Sequence, residues 1–314
     1  MSSSVGDIPI GLSPDMPASL AVRKILSGLF DVMEANEAGL LADDDTEFLH
    51  DFRIAVRRSR TALTRLKGIL PEQASEHFRP EFAWLGDVTT PLRDLDVYLL
   101  NFDVYQSALP ASMWADLEPL RQFLIHKRQQ VHLRLVSELN STRYRQLKLG
   151  WREFLEREIA ADPAAIRKVA KQRIGRLCRS VLREGEAIRK GSPPQALHEL
   201  RKSCKKLRYM LEFFRTIYPR HKITVLLKNL KQLQDNLGTF QDLTVESESL
   251  QGMCREMKLA GALSEASEEA MQLLIDQLKR RQKKSRKAFA SCFKTFANKK
   301  NRRRIRQLFG TMKR

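Results

Sequence analysis

Two stretches of this chain share one pattern: Phe48–Pro71 is FLHDFRIAVRRSRTALTRLKGILP and Ala196–Pro219 is ALHELRKSCKKLRYMLEFFRTIYP. His50 aligns with His198 at an offset of 148 residues, and at that offset basic residues meet basic residues and leucines meet leucines. The register continues without a gap, so that Arg93-Asp94-Leu95 meets Gln241-Asp242-Leu243. A period this long that occurs twice predicts duplication of a bundle-sized unit and not a solenoid of short repeats.

Each stretch has the pattern of an amphipathic helix with a basic stripe along the edge of its apolar face. At about 100° per residue, each stripe is about 80° wide, and its successive side chains are about 5 Å apart along the axis. The stripes consist of His50, Arg53, Arg57 and Arg60 in one copy and His198, Arg201, Lys205 and Arg208 in the other. A polyanion with many charges can follow such a row. Arginine favours this interpretation because its guanidinium binds phosphate oxygens bidentately.

For a single helix of this kind, the alternative to ligand binding is a basic face that is simply solvated. This alternative stays open for Arg58, Lys202 and Lys206, which lie off the stripes. The repetition in register favours binding over solvation for the stripes themselves. For the two histidines both interpretations stay open: contact with phosphate, or a structural hydrogen bond near the start of a helix.

The charge of the chain is concentrated in two segments. The 314 residues contain 56 Lys and Arg against 37 Asp and Glu, a formal net charge of +19. Residues 163–222 hold 17 basic and 4 acidic residues (net +13), and residues 277–314 hold 16 basic and none acidic (net +16). A localised excess indicates an anionic partner. Nucleic acid, bound through the run at 279–306 with aromatic stacking, is the main alternative to a simpler polyanion, although only 7% of the residues are aromatic.

The chain is predicted to be all-α, because apolar positions recur with a 3.6-residue period and strand patterns are absent. The predicted helices span about 17–39, 43–69, 75–108, 112–158, 163–190, 194–217, 221–258 and 262–297. The repeat places four of them in each half, so two helical bundles from an internal duplication are predicted, at 17–160 and 161–298. Residues 1–16 are predicted to be a flexible segment, and 299–314 a poorly ordered basic tail.

Aspartates follow both basic stretches, and two roles are considered for them. Asp94, Asp96 and Asp242 resemble, loosely, the carboxylates of a metal-dependent polyphosphate hydrolase. Pairing with an arginine of the neighbouring helix is the more economical role, because Asp96 is replaced by Thr244 in the second copy. No phosphate-binding glycine loop or catalytic motif is present in the sequence. We therefore predict a protein that is not an enzyme, with no metal site and no cofactor.

Cysteine usage and the N-terminal residues bear on the compartment. The four cysteines, Cys178, Cys204, Cys254 and Cys292, lack metal-ligand spacing, so free thiols in a reducing compartment are expected. The chain shows neither a signal-peptide pattern nor an apolar run of about 20 residues. We expect a soluble cytoplasmic protein without a membrane partner.

These motifs resemble the CHAD family, the conserved histidine α-helical domain. LHDFRIAVRRSR with PLRDLDV is similar to the first half of the family pattern, and LHELRKSCKKLRYMLE with LQDNLGTFQDL to the second. The resemblance covers about residues 17–297. It implies two four-helix bundles related by a pseudo-two-fold axis, with a central basic channel that binds long-chain inorganic polyphosphate. An association with polyphosphate granules is considered, and the purpose of binding stays open among a storage granule, a scaffold and a sensor. The Glu-x-Glu-x-Lys motif of the CYTH domain fused to many members is absent, so a member without that domain is expected, and the triphosphatase activity of fused members is not carried over.

Position by position, the resemblance implies a set of polyphosphate-binding residues. They are His50, Arg53, Arg57, Arg60, His198, Arg201, Lys202, Lys205 and Arg208, with Arg23 and Lys171 as candidates from the first helix of each half.

Overall fold

The computed structural model describes residues 11–157 and 164–310. Within these ranges the chain forms twelve α-helices, three short 3₁₀ turns and no β-strand. The predicted all-α fold class is confirmed. In this part of the chain no helix is both long enough and apolar enough to span a bilayer.

The first half of the chain contains seven helices. They are α1 (Ala18–Ala42), α2 (Thr46–Arg65), α3 (Glu72–Val88), α4 (Thr90–Leu100), α5 (Phe102–Ser107), α6 (Glu118–Leu139) and α7 (Thr142–Glu156). The single helix predicted over 75–108 is therefore three helices, since Pro91 begins a new helix and Asn101 ends it. The helix predicted over 112–158 is interrupted at Ser141, whose hydroxyl caps α7 by accepting from the Tyr144 amide at 3.2 Å.

The second half contains five helices. They are α8 (Ile166–Ala187), α9 (Pro194–Phe213), α10 (Arg220–Leu259), α11 (Glu265–Phe296) and α12 (Lys299–Phe309). α10 runs for 40 residues without a break because no proline follows Pro219 in the sequence. α2 and α9 end several residues before Pro71 and Pro219, and each proline occupies the N-cap position of the following helix.

The prediction of a poorly ordered tail is wrong for residues 299–309, which form α12. Its residues Ile305, Leu308 and Phe309 are buried against α8 and α10, because the basic run conceals an amphipathic pattern with one apolar face. At the other end, Leu12 is buried and the Ile166 amide donates to the Met16 carbonyl at 2.9 Å. Residues 11–16 are therefore held on the start of α8, whereas residues 1–10 lie outside the described part.

Two hydrophobic cores hold these helices together, and both draw on both halves of the chain. The larger core joins α1, α2, α3 and α7 to α8, α9, α12 and the first half of α10. The smaller core joins α4, α5 and the start of α6 to the far half of α10 and the start of α11. The expected division between residues 160 and 161 falls outside the described residues, and the duplication into two four-helix bundles stays a prediction.

Candidate functional site

The two basic helices α2 and α9 pack against each other through polar side chains as well as apolar ones. Arg58 of α2 donates to Glu212 of α9 at 2.5 Å, and Arg208 donates to the same carboxylate at 2.6 Å. The Tyr209 ring lies 5.5 Å from the Arg58 guanidinium carbon and 5.8 Å from that of Arg57. These contacts fix the relative position of the two helices at the point where their basic stripes meet.

A groove lies along this meeting point. It consists of two adjoining pockets of about 360 and 310 Å³ that share Arg57, Lys205 and Tyr209. We call it the central groove. Its basic lining residues are Arg57, Arg60, Arg65, Arg201, Lys202, Lys205, Lys206 and Arg208. Its other lining residues include Thr61, Thr64, Gln234, Asp235, Thr239 and Asp242.

Six of the eleven residues named from the sequence line the central groove. They are Arg57, Arg60, Arg201, Lys202, Lys205 and Arg208. Sequence reasoning missed Arg65, which lies one helical turn or more beyond the stripe, and Tyr209. From the sequence, Lys202 and Lys206 could also have been merely solvated. Both line the groove, because α2 packs beside α9 and forms the opposite wall.

Arg53 and Arg201 occupy equivalent positions but have different partners. Arg53 Nη1 donates to Thr89 Oγ1 at 2.7 Å, Thr90 Oγ1 at 3.1 Å and the Gly86 carbonyl at 3.1 Å. Arg201 instead donates to Asp242 at 2.9 Å. Burial lowers the pKa of Arg53 to about 10, a value that leaves the group charged at neutral pH.

The difference between these arginines has a structural cause. At the offset of 148 residues, Leu237 and Gly238 stand where the first half has Thr89 and Thr90. Neither position offers a hydroxyl to Arg201, which donates to Asp242, and the space beside Gly238 forms part of the central groove. In the first half, Thr90 occupies the corresponding space and binds the Arg53 guanidinium.

The two histidines lie beside the central groove and not among its lining residues. His198 Nδ1 is 2.9 Å from Gln241 Oε1, a structural hydrogen bond of the kind considered from the sequence. His50 is half-buried, and burial together with the nearby Arg93 lowers its pKa below the ordinary value. Arg93 and Gln241 are equivalent in the repeat, so each histidine is adjacent to the side chain at that position.

The two candidates from the first helices make their contacts at other places in the fold. Arg23 Nη1 donates to the Arg157 carbonyl at 2.8 Å and joins α1 to the end of α7. Lys171 is exposed on α8 and lies beside Gly310, at the end of α12. Neither lines the central groove, and their part in binding stays a prediction.

The aspartates chiefly pair with arginines. Asp242 pairs with Arg201, as the economical interpretation of the sequence expected. Asp96 is buried and accepts from Arg128 Nε at 2.7 Å, while the pKa of Asp94 is raised by burial against the opposing effect of Arg53. Among the described residues, no group of three or more His, Cys, Asp or Glu side chains is placed to hold a metal ion.

Lys205 has a markedly lowered pKa among the cations of the groove. Burial, followed by the charges of Arg201 and Arg57, lowers the pKa of Lys205 to about 8. Burial also lowers the pKa of Lys206, with Arg65 as the next cause. Like charges held this close favour an anion between them, because a ligand of opposite sign reverses the unfavourable interaction.

The comparisons with known proteins establish the family. The profile of the CHAD domain matches residues 24–251, most of the chain, and the chain belongs to this family. A crystal structure of the CHAD domain from the plant Ricinus communis is similar with a TM-score of 0.74 and 24% identity, over 93% of this chain and 94% of that one. The structure of PptA from Streptomyces chartreusis is similar with a TM-score of 0.65 and 18% identity, over 89% and 100% of the two chains. At these identities the likeness shows the fold. No curated protein matches the sequence.

Proposed function

We propose that this protein binds long-chain inorganic polyphosphate in the central groove without catalysing its breakdown. The observation that carries the proposal is the meeting of Arg57 and Lys205, from helices 148 residues apart in the sequence, in one groove with eight basic lining residues. The family to which the chain belongs supports the choice of ligand, since the resemblance of its motifs to CHAD domains implies polyphosphate.

The chemistry of the lining suits a linear phosphate polymer. Every phosphate of the chain is charged, so the ligand can contact several guanidinium and ammonium groups at once. The groove's two carboxylates are already paired, Asp242 with Arg201 and Asp235 with Lys231 at 2.9 Å each, so they neutralise only a small part of the basic lining. Binding through many contacts releases counterions, and affinity is therefore expected to rise with chain length and fall with salt.

Polyphosphate binding in the central groove and nucleic-acid binding differ in which residues contact the ligand. A protein that binds RNA or DNA through residues 279–306 would retain that binding when the central groove is altered. Competition among long-chain polyphosphate, RNA and duplex DNA, followed by fluorescence anisotropy at several salt concentrations, distinguishes the two ligands. Stronger binding of RNA than of polyphosphate at matched charge would overturn the proposal.

The residues are tested with a double variant, Arg57→Ala with Lys205→Ala. We expect polyphosphate affinity to fall by about 1–3 kcal/mol, the scale of hydrogen bonds to charged groups, with a shallower salt dependence. The control is Arg134→Ala with Arg255→Ala, which removes two charges from exposed positions of α6 and α10 that do not line the groove. Equal losses in the two variants would indicate a general charge effect and no groove site.

Catalysis is tested separately. Release of orthophosphate from polyphosphate in the presence of Mg²⁺ or Mn²⁺ is expected to stay at the level of the buffer. Release that depends on the protein and disappears in Asp94→Asn would favour a hydrolase over a binding module.

A further inference from the structure

A second basic concavity lies outside the central groove, between the start of α10 and the helix α12. It has a volume of about 420 Å³ and is lined by His221, Lys222, Val225, Lys300, Arg303, Arg304 and Gln307. We call it the α12 pocket. Four of its seven lining residues are Lys or Arg, and no carboxylate lines it.

The wall of the pocket is firmly attached to the rest of the molecule. Asn301 is fully buried; its amide donates to the Phe296 carbonyl at 2.7 Å, and it accepts from Asn229 of α10 at 3.2 Å. The Phe309 ring makes an edge contact with Tyr218, with centroids 5.2 Å apart. The helix that carries the basic residues is therefore held in place, so that an anion meets them without having to order a tail.

The charges of the pocket lack compensation by carboxylates. Lys222 Nζ lies 3.4 Å from Gln307 Oε1, and Arg304 donates to Asn301 Oδ1 at 3.0 Å, both neutral partners. Lys300 and Arg303 make no ion pair with any residue in the described ranges. Four cations around one concavity repel each other and favour an anion among them.

One face of α10 connects this pocket with the central groove. At about 100° per residue, His221, Val225, Lys228, Lys231 and Asp235 lie within a stripe of about 120°. Val225 lines the pocket and Asp235 lines the groove, so the two sites are about 15 Å apart along the axis. Lys228 and Lys231 are exposed between them.

We propose that the α12 pocket is a second phosphate-binding site, which takes a segment of the same polyphosphate chain that occupies the central groove. This rests on the proposed function. A chain long enough to bridge the two sites past Lys228 binds the second site intramolecularly, at a high effective concentration. A short chain occupies either site separately.

The test is isothermal titration calorimetry of the full chain with two probes, tripolyphosphate and long-chain polyphosphate. Lys300→Ala with Arg303→Ala removes the pocket charges. Lys299→Ala with Arg306→Ala is the matched control, because it removes the same charge from exposed positions of the same helix that do not line the pocket. Arg302 is left intact because it donates to the Ala297 carbonyl and pairs with Glu186.

We expect two tripolyphosphate sites in the unaltered protein, one of which is lost in the pocket variant and retained in the control. Affinity for long-chain polyphosphate should fall roughly tenfold or more in the pocket variant, because the intramolecular contact is lost. Two tripolyphosphate sites in the pocket variant, or equal losses in the pocket and control variants, would overturn the proposal.

The groove variant, Arg57→Ala with Lys205→Ala, separates this proposal from the function on which it rests. Loss of the other tripolyphosphate site in that variant supports the central groove. If the groove variant keeps both sites while the pocket variant loses one, the proposed groove function is wrong and the α12 pocket stands. If only the groove variant loses a site, the pocket proposal is wrong and the groove stands.

Discussion

Arg58 of α2 and Glu212 of α9 form an ion pair at 2.5 Å across the contact between the two basic helices. The Arg58 and Glu212 side chains are only 12% and 17% exposed, and Glu212 also accepts from Arg208. Glu212 does not line the central groove, but by binding two guanidinium groups it fixes the relative position of the helices that form the groove.

Glu212→Ala is expected to destabilise the protein by about 2–3 kcal/mol, somewhat below the cost typical of breaking a fully buried pair. The physical reason is that Arg58 stays in a poorly hydrated position without this carboxylate. Denaturant unfolding followed by circular dichroism measures the free energy of unfolding. Arg58→Met combined with Glu212→Leu is the control, and it should cost less than Glu212→Ala, because no buried charge is left behind. A larger cost in the double variant would contradict this account.

The low pKa of Lys205 predicts that polyphosphate binding depends on pH near 8. Burial and the neighbouring arginines lower this pKa to about 8 in the free protein, and a polyanion in the groove raises it again. Binding is therefore accompanied by proton uptake, and affinity should fall as the pH rises through about 8, by up to about tenfold per pH unit from this one group.

Lys205→Arg tests this assignment, because a guanidinium stays charged throughout that range. We expect polyphosphate affinity measured from pH 7 to pH 9.5 to fall in the unaltered protein and to stay nearly level in the variant. The same decline in both proteins would mean that another group titrates.

Gly238→Thr is expected to narrow the central groove without unfolding the protein. A Cβ at Gly238 meets its nearest atoms, in Arg201 and Asp242, at an ordinary 3.9 Å, so the helix tolerates the residue. The new hydroxyl would stand where Thr90 binds Arg53 in the first half, and we expect it to draw Arg201 away from the ligand.

Polyphosphate affinity should therefore fall in Gly238→Thr by about 1 kcal/mol or more, the scale of one hydrogen bond. Gly252→Thr is the matched control: it makes the same change in the same helix at a position with open space around it and outside the groove. If both variants bind as tightly as the unaltered protein, the space beside Gly238 has no part in binding.

The sequence predicted the helical class, the two basic helices and the stripe residues Arg57, Arg60, Arg201, Lys205 and Arg208 of the groove, because these follow from periodicity within single helices. Arg57 and Lys205 were found in this way, since each lies on a stripe visible in its own stretch. α12 was missed because six basic residues among eleven conceal the buried face formed by Ile305, Leu308 and Phe309.

Other features depend on contacts between helices that no single stretch contains. Tyr209 joins the groove only because α2 crosses α9 beside it, and Arg53 turns away from the groove only because Thr89 and Thr90 accept its hydrogen bonds. The break between α3 and α4, within the single helix predicted over 75–108, could have been predicted from the sequence, because Pro91 marks it.

The apolar faces beside the stripes are expected to carry stability and not binding. Leu63 and Leu211 are equivalent in the repeat and only 1% and 0% exposed, so either change to alanine should cost about 2–5 kcal/mol. Leu133 is 70% exposed on α6, and Leu133→Ala should change the free energy of unfolding by no more than about 0.5 kcal/mol. Chemical denaturation of the three variants makes the comparison. A cost for Leu133→Ala equal to the others would contradict the described packing.

Arg53 and Arg57 lie one helical turn apart on the same stripe, and the structure predicts different roles for them. Arg53 holds α2 to the junction of α3 and α4 through Thr89, Thr90 and the Gly86 carbonyl. Arg53→Ala should therefore lower the free energy of unfolding by about 1–3 kcal/mol, because charged hydrogen bonds to a part-buried site are lost. Its effect on polyphosphate affinity, measured under conditions where the variant is folded, should be smaller than that of Arg57→Ala.

Arg57→Ala should lower polyphosphate affinity more and the free energy of unfolding less than Arg53→Ala does. The reason is that Arg57 lines both pockets of the groove, and its cation–π contact with Tyr209 contributes only modestly to stability. Denaturation curves and binding isotherms on both variants give the two quantities for each residue. Arg53→Ala could instead weaken binding as much as Arg57→Ala while leaving stability unchanged. That result would mean that, in the unaltered protein, Arg53 leaves Thr89 and Thr90 and contacts the ligand itself. The whole stripe would then bind polyphosphate, as the sequence alone suggested.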